Sequence, residues 1–182
     1  TGGQVLVIMT ITNTGGSDLT YNLSFSAFDP GILLCASQPP AGYCIPTYSS
    51  ACSSDDYIEN FNFNTFSRLN SGCNGQANNY IYDPAVVTAV IQGGSYPLSM
   101  QGGASYDQGF GVWIDYNRDG DFADAGEFVY ASPVDGTQLF STTIAIPAGA
   151  VSGQTRLRVR CRYNNTVTSG QYCTNFSYGE TE

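Results

Sequence analysis

Gly, Pro, Asn and Ser interrupt every stretch of this chain before three helical turns can accumulate, and this is the strongest constraint on its fold. Between the interruptions, β-branched and aromatic residues alternate with polar ones, as they do in half-buried strands. The predicted strands are residues 5–12, 19–28, 57–63, 86–92, 96–100, 109–115, 127–131, 139–146 and 155–163. Many short strands joined by Gly-rich turns favour an all-β fold, a β-sandwich or jelly roll with an N-terminal strand extension.

The basic residues restrict the chemistry. The 182 residues include no histidine and no lysine, and all six basic residues are arginine, against fifteen acidic residues and a net charge of −9. The chain therefore has no histidine-activated nucleophile, no lysine Schiff base and no P-loop lysine. A strongly acidic surface repels phosphate backbones, so we expect no nucleic-acid partner. Only carboxylate chemistry remains, for example at Asp55, Asp56 and Glu59, and we expect no enzymatic activity.

The cysteines indicate an oxidising, extracellular setting, because their even number is typical of three disulfides. The six are Cys35, Cys44, Cys52, Cys73, Cys161 and Cys173. Proximity in the sequence pairs Cys161 with Cys173 and Cys44 with Cys52, although about 15 connectivities exist. Buried free thiols in a cytosolic protein are the alternative. A zinc site is disfavoured because the chain has no histidine and no CxxC pair.

No apolar run approaches the roughly 18–20 residues of a transmembrane helix, so we expect no membrane span. The longest run, residues 5–9, has the length of a strand. Three N-x-S/T triplets offer candidate glycosylation sites at Asn22, Asn164 and Asn175. Chance also supplies such triplets in a chain this rich in Asn, Ser and Thr.

The segment TRLRVRCRY at residues 155–163 shows the clearest alternation in the chain. Its arginines lie on one face of the predicted strand and its apolar residues on the other. The arginines are Arg156, Arg158, Arg160 and Arg162. In a protein of charge −9, we expect them to meet carboxylates on neighbouring strands. The alternative is an anion-binding stripe.

The segment DYNRDGDFADAGE at residues 115–127 carries oxygen-bearing side chains at every second position of its first half, with Gly120 at the sharp turn. This opening matches the D-x-[DN]-x-[DN]-G pattern of calcium loops, in which a tight turn directs alternate oxygens to one hard cation. The closing glutamate stands one residue later than in an EF-hand, and predicted strands rather than helices flank the loop. The predicted calcium ligands are Asp115, Asn117, Asp119, Asp121 and Glu127. A metal-free acidic loop is the alternative.

Several strings of the sequence resemble the GEVED domain, a module of secreted multidomain proteins from Bacteroidetes and similar bacteria. They are YC at 43–44, DYIENFNF at 56–63, GVWIDYNRDGDFADAGE at 111–127, TTIAIPAGAVSGQTRLRVRCRY at 142–163 and YGETE at 178–182. The resemblance covers residues 43–182. It implies an extracellular β-sandwich module without catalytic activity, whose acidic loop maps onto the predicted calcium ligands. The family is named for its C-terminal signature, which corresponds here to YGETE at 178–182. It usually continues from this signature into a final strand, so the resemblance implies a body that is one strand short.

Within an N-terminal segment predicted at residues 1–38, the string VLVIMTITNTGGSDLTYNLSFSAF at 5–28 resembles part of a bacterial immunoglobulin-like module, in which an ITNTG turn joins two strands. A proline-rich stretch follows, so we predict a boundary near residues 38–42 and a second domain at 39–182. The predicted strand 5–12 is apolar on both faces, like a strand buried within a sheet. Its apolar residues are Val5, Leu6, Val7, Ile8, Met9 and Ile11.

A spare apolar strand at one end and a sandwich that lacks a strand at the other predict head-to-tail strand donation. Such a contact does not close on itself, and it assembles copies of the chain into a fibre on the bacterial cell surface. The alternatives are that strand 5–12 folds back onto its own body, or that both ends are trimmed from a longer protein. A different function class is a carbohydrate-binding or adhesion module that stacks tyrosines on glycans. Trp113 lies in an alternating strand, so we expect it in the core.

Overall fold

The computed structural model describes residues 42–50, 52–73 and 77–182. The strands are β1 (Ile58–Phe63), β2 (Phe66–Leu69), β3 (Ser95–Gly102), β4 (Gln108–Ile114), β5 (Phe128–Ala131), β6 (Phe140–Ala145), β7 (Leu157–Tyr163) and β8 (Gly179–Thr181). Single 3-10 turns lie at Cys52–Ser54, Ala77–Asn79 and Ser169–Gln171. In this part of the chain, no helix has the length and apolar character needed to cross a membrane.

The strands form two four-stranded antiparallel sheets. The first sheet has the order β2-β1-β3-β6, and the second has the order β5-β4-β7-β8. The pairing of β4 with β7 continues without a shift from Gln108 opposite Tyr163 to Ile114 opposite Leu157. Alternate residues of both central strands therefore keep to one face. The predicted all-β sandwich is confirmed.

One apolar core joins side chains from both sheets. The first sheet contributes Ile58, Phe61, Phe63, Leu98, Met100, Phe140 and Ile144, and the second contributes Phe110, Val112, Ile114, Val159 and Cys161. Burial of each large apolar side chain contributes roughly 1.5–3 kcal/mol, so this core is the main source of stability.

Irregular chain covers the other face of the second sheet. Trp113 is fully buried there against Val167, and its Nε1 donates a hydrogen bond to Ser169 O at 3.0 Å. The expected burial of Trp113 is confirmed, on the outer face of β4. Gly109 lets the backbone of Asn165 lie close to β4, because a Cβ at position 109 would be 2.2 Å from Asn165 O. We call residues 165–178 the cover segment.

Two disulfides join irregular segments that are distant in the sequence. They are Cys44–Cys173, which are 129 residues apart, and Cys52–Cys73, which are 21 residues apart. The predicted pairs Cys161–Cys173 and Cys44–Cys52 are therefore wrong. Cys161 belongs to the buried core and has no disulfide partner in the described part of the chain, whereas Cys173 lies in the cover segment. Cys35 lies outside the described residues.

The sequence pattern predicts most of the observed strands. The predictions at 57–63, 96–100, 109–115, 127–131, 139–146 and 155–163 correspond to β1, β3, β4, β5, β6 and β7. The strand predicted at 86–92 is wrong, because this segment is irregular and its Val87 and Ile91 are 67% and 71% exposed. Strands β2 and β8 are too short to show periodicity. The predictions at 5–12 and 19–28, and the boundary near 38–42, lie outside the described residues.

The C-terminal signature is itself a strand with a neighbour on each side. β8 pairs with β7, and on its other side Thr181 forms a parallel bridge with Tyr80. Ile81 N donates to Thr181 O at 2.8 Å. The edge that the sequence predicts to be open is therefore covered at Thr181. Within the described ranges, the outermost strands of the two sheets are β2, β6, β5 and β8, and β8 has only this isolated bridge on its outer side.

Candidate functional site

The acidic loop, residues 115–127, connects β4 to β5 at one end of the second sheet. Its turns use left-handed backbone at Arg118, Gly120 and Gly126, with φ of 64°, 96° and 93°. Two of these positions carry glycine, which tolerates this conformation without steric cost. The connection is a loop between strands, as predicted.

Asp115 and Glu127 hold the two ends of this loop. Asp115 is fully buried, and its carboxylate accepts hydrogen bonds from Tyr43 Oη and from the backbone N–H of Gly120, the latter at 3.1 Å. Glu127 is also buried and accepts from Tyr116 N at 3.0 Å. Burial raises the pKa of Glu127 above its usual value. Both carboxylates therefore accept hydrogen bonds from backbone N–H groups of the loop.

Three other carboxylates come together on the outside of the loop. Asp119, Asp121 and Asp124 each place one oxygen within 4.8 Å of the other two. Asn117 lies beside them and donates to Asp119 Oδ2 at 3.0 Å and to Asp124 Oδ2 at 2.8 Å. Of the predicted ligands, the structure thus groups Asn117, Asp119 and Asp121, and it separates Asp115 and Glu127 into a structural role.

Asp124 is absent from the predicted set because the calcium-loop pattern places its ligands at odd-numbered positions from 115 to 121 and at Glu127. The folded loop nevertheless brings Asp124 back beside Asn117, Asp119 and Asp121. The signal in the sequence is the acidic run DGDFADAGE at 119–127, in which Asp124 is the one acid that the calcium-loop pattern does not include.

The donor set of this cluster fits a hard divalent cation. All its side-chain ligands are oxygens, which Ca²⁺ prefers at distances of about 2.3–2.6 Å. Oxygens that contact one such ion lie at most about 5 Å apart, and the observed limit of 4.8 Å agrees. Asp119, Asp121 and Asp124 would hold the ion, and Asn117 would contribute its amide oxygen after a rotation of the side chain.

The arginines of β7 form a second concentration of charge, on the outer face of the second sheet. Arg158 and Arg160 are 3% and 0% exposed. Arg158 donates to Cys44 O at 2.6 Å and to Tyr172 O at 2.8 Å. Arg160 donates to Thr174 O at 2.8 Å and also to Gln171 O. Both arginines thus donate to backbone carbonyls of the cover segment, Arg158 also to Cys44 O, and Arg160 also to the hydroxyl of Thr181 at 3.0 Å.

Aromatic rings complete the surroundings of these arginines. The guanidinium of Arg160 lies 4.2 Å from the ring centre of Phe176, and that of Arg158 lies 4.8 Å from Phe122. The ion pairs of the described residues involve Arg68, with Asp83 and Glu182. The expected pairing of the β7 arginines with carboxylates is therefore wrong. Carbonyl dipoles and ring faces stabilise these cations instead.

The acidic residues of the signature connect the two sheets. Glu180 is buried on β8, and its Oε2 accepts from Ile58 N at the start of β1 at 2.8 Å. Glu182 lies 3.3 Å from Arg68 Nε on β2. Burial raises the pKa of Glu180 to about 8 and that of Glu182 to about 7. These carboxyls are therefore structural links that titrate near neutral pH.

The acids considered for catalysis do not form a pair of free carboxyls. Asp56 is buried and accepts from Gln108 Nε2 at 2.7 Å, and burial raises its pKa. Asp55 accepts from Ser105 N, and a hydrogen bond from Tyr57 lowers its pKa. The carboxylates of Asp55 and Asp56 thus each have a hydrogen-bond partner in the protein.

The candidate glycosylation sites differ in their surroundings. Asn164 is exposed at the end of β7, with φ of 47°. Asn175 is exposed too, and its Oδ1 accepts from Thr47 N at 2.9 Å. Asn22 lies outside the described residues.

The acidic loop, the arginine strand β7 and the signature strand β8 follow one another in the second half of the chain. Residues 109–182 match the GEVED domain. The GEVED match includes all three features and indicates a secreted β-sandwich module, with which the two disulfides are compatible. No curated protein and no solved structure matches the chain.

Proposed function

We propose that this chain is a non-enzymatic structural subunit of an extracellular fibre or surface appendage, that calcium stabilises its acidic loop, and that strand donation joins its copies. The observation that carries the calcium part is the cluster of Asp119, Asp121 and Asp124. A sequence without histidine and lysine, and acids that are engaged within the protein, support a role other than catalysis.

The electrostatics of the acidic loop favour a bound cation. Three carboxylates within 4.8 Å repel one another, and the described residues place no arginine in an ion pair with them. Arg118 belongs to the same loop but donates to Ser152 O at 2.9 Å and to Gln154 O at 3.0 Å. A divalent ion would remove this repulsion and fix the connection between β4 and β5.

Calcium titration tests this site. At a free concentration about 100 times Kd, one bound ion raises the free energy of unfolding by about 2.7 kcal/mol. We expect a higher thermal midpoint in calcium than in EGTA, with a much smaller difference for Asp121→Asn. The control Asp107→Asn removes an exposed acid elsewhere and should keep the full response. An unchanged midpoint in calcium would contradict the proposal.

Unpaired strand edges support the assembly part. The six residues of β6 pair with β3, and the described residues supply no strand on the other side. Such an edge presents free N–H and C=O groups to which another strand can add. The apolar strand predicted at 5–12 has the length and composition of a donor. A donor that leaves its own molecule for the next generates an open chain of subunits.

Deletion of residues 1–12 tests the assembly. We expect fibres from the full chain in negative-stain images, and monomers from the deletion variant by analytical ultracentrifugation. Val7→Lys should also prevent assembly, because it places a charge within the apolar strand. The matched control Gln4→Lys, just outside that strand, should still polymerise. Fibres from the deletion variant would exclude strand donation.

A further inference from the structure

A cleft of about 360 Å³ lies where the end of β7 meets the segment that leads into β8. Its lining residues are Arg162, Tyr163, Asn175, Phe176, Ser177 and Tyr178. We call it the Arg162 cleft. Its volume lies within the range of small-molecule sites, roughly 300–1,000 Å³. Neither the acidic loop nor the free strand edges use these residues.

Two exposed tyrosines, Tyr163 and Tyr178, line the Arg162 cleft, and Tyr106 packs beside Tyr163. Tyr106, Tyr163 and Tyr178 are 45%, 39% and 40% exposed. The ring centres of Tyr106 and Tyr163 are 5.6 Å apart, and those of Tyr163 and Tyr178 are 5.7 Å apart, both edge to face. This arrangement fixes the rings against one another while part of each stays in contact with water. Grouped exposed aromatics of this kind mark interaction sites.

Arg162 supplies a positive charge that the described structure does not neutralise. Its guanidinium lies 4.8 Å from the ring centre of Phe176. Unlike Arg158 and Arg160, it donates no hydrogen bond to the cover carbonyls, and it takes part in neither ion pair of the described residues. A half-buried guanidinium with free donors is suited to bidentate binding of a carboxylate.

The polar groups around Arg162 are also donors. Asn175 Oδ1 is occupied by Thr47 N at 2.9 Å, so the amide Nδ2 remains to donate to a ligand. The Ser177 hydroxyl lines the same cleft and can donate or accept. On a protein of charge −9, a cleft with an arginine and further donors favours an anionic, hydroxyl-rich ligand over a cation.

We propose that the Arg162 cleft binds a carboxylate-bearing sugar of a glycan. The sugar carboxylate would pair with Arg162, its hydroxyls with Asn175 Nδ2 and Ser177, and its C–H face with Tyr163 or Tyr178. This activity is additional to the proposed assembly and does not depend on calcium or on residues 1–12.

Titrations with matched pairs of charged and neutral sugars test the proposal. The probes are sialyllactose against lactose and glucuronate against glucose, followed by NMR chemical shifts in EGTA. For at least one acidic sugar we expect Kd on the order of 1 mM, and at least about tenfold weaker binding of its neutral partner. One extra charge-assisted hydrogen-bond pair supports a difference of that size.

Variants separate the cleft from other surfaces. Arg162→Gln should weaken binding of the acidic sugar about tenfold or more, and Tyr178→Ala should weaken both sugars of a pair. The control Arg156→Gln changes an arginine of the same strand that stacks on Tyr43 and Tyr82 instead, and it should bind normally. If Arg162→Gln does not fold, Arg162→Lys keeps the charge, loses the bidentate geometry, and should show an intermediate affinity.

Three results would overturn the proposal. They are no shift with either acidic sugar, equal affinities for charged and neutral sugars, and unchanged binding by folded Arg162→Gln or Arg162→Lys. Binding that disappears in EGTA would assign the sugar to the acidic loop instead. Loss of calcium response or of fibres, with sugar binding intact, would reject the proposed function and leave this inference standing.

Discussion

The outer layer over β7 and the acidic loop both concentrate like charges, but they resolve the repulsion differently. Arg158 and Arg160 are buried beside each other on alternate positions of one strand, and neutral carbonyls and aromatic rings surround them. Asp119, Asp121 and Asp124 meet in an exposed turn, where water screens them. The first group is satisfied by the protein itself, whereas the second is the group for which we propose a cation.

The difference follows from the chemistry of the two ions. A guanidinium offers five N–H donors in a plane, so backbone carbonyls can stabilise it without a counter-charge. A carboxylate accepts hydrogen bonds only. Backbone N–H groups of the acidic loop donate to Asp115 and Glu127, and also to Asp119 and Asp121, but they supply no counter-charge to the cluster. Buried arginines therefore act as structural connectors, whereas the clustered aspartates remain available to a ligand.

The Cys44–Cys173 disulfide provides the largest expected effect on the outer layer. It joins two segments, 129 residues apart in the sequence, whose carbonyls accept hydrogen bonds from Arg158 and Arg160. Replacement of both cysteines by serine should lower the free energy of unfolding by roughly 4–5 kcal/mol, as expected for a loop of this length. Urea denaturation measures it. The Cys52–Cys73 disulfide closes a shorter loop, so the double variant Cys52→Ser/Cys73→Ser should lose only roughly 3 kcal/mol of unfolding free energy. Equal losses would contradict this explanation.

The pH dependence tests whether a buried carboxyl, unlike a buried arginine, gives up its charge. Glu180 and Glu182 have pKa values raised by burial to about 8 and about 7 in the folded state. The folded state holds these protons more tightly than the unfolded chain does, so stability should fall as the pH rises from about 4.5 to about 8, by roughly 4 kcal/mol between pH 6 and pH 8. The chain has no histidine to titrate in this window. Glu180→Gln should make the urea midpoint less dependent on pH. A wild-type midpoint that does not change with pH would contradict the predicted role of these two carboxyls.

Arg160 and Arg162 compare a satisfied and a free arginine on the same strand. Arg160→Met leaves the carbonyls of Gln171 and Thr174 without this donor, and should cost about 3 kcal/mol. Arg162→Met loses the stack on Phe176, and should cost less than about 1 kcal/mol. Denaturation of the two variants in parallel gives the difference. Similar losses would show that stacking, rather than carbonyl binding, stabilises the layer.

The acidic loop should show the smallest effect, and one of opposite sign. In EGTA, Asp121→Asn removes one of three neighbouring charges while its side-chain oxygen can still accept from Ala123 N. We expect a gain of about 0.5 kcal/mol from reduced repulsion, since exposed charge pairs have energies of this order. Calorimetry in EGTA measures it. A loss of stability would mean that the acids are not in conflict.

Local patterns account for most of the strands and for part of the candidate site. Alternation over residues 155–163 predicts β7 and the common face of its arginines. It does not predict their partners, because Cys44 and Thr174 approach only after the cover segment folds over the sheet. The acidic run predicts an oxygen-rich loop, but the choice among its acids depends on which ones bury and bind backbone. The strand predicted at residues 86–92 is wrong for a related reason. These residues are mostly apolar, but no neighbouring segment within the described residues buries them.

The sequence by itself determines an all-β chain, the faces of its long strands, a restricted chemistry without histidine or lysine, and an acidic loop between two strands. These properties depend on residue type and on spacing of a few residues, which act locally. Only the tertiary structure decides the disulfide pairs, the neutral surroundings of Arg158 and Arg160, the cleft beside Arg162 and the neighbours of β8. Each depends on segments that are far apart in the chain, such as Cys44 and Cys173, and the contacts of those segments exist only once the two sheets have packed.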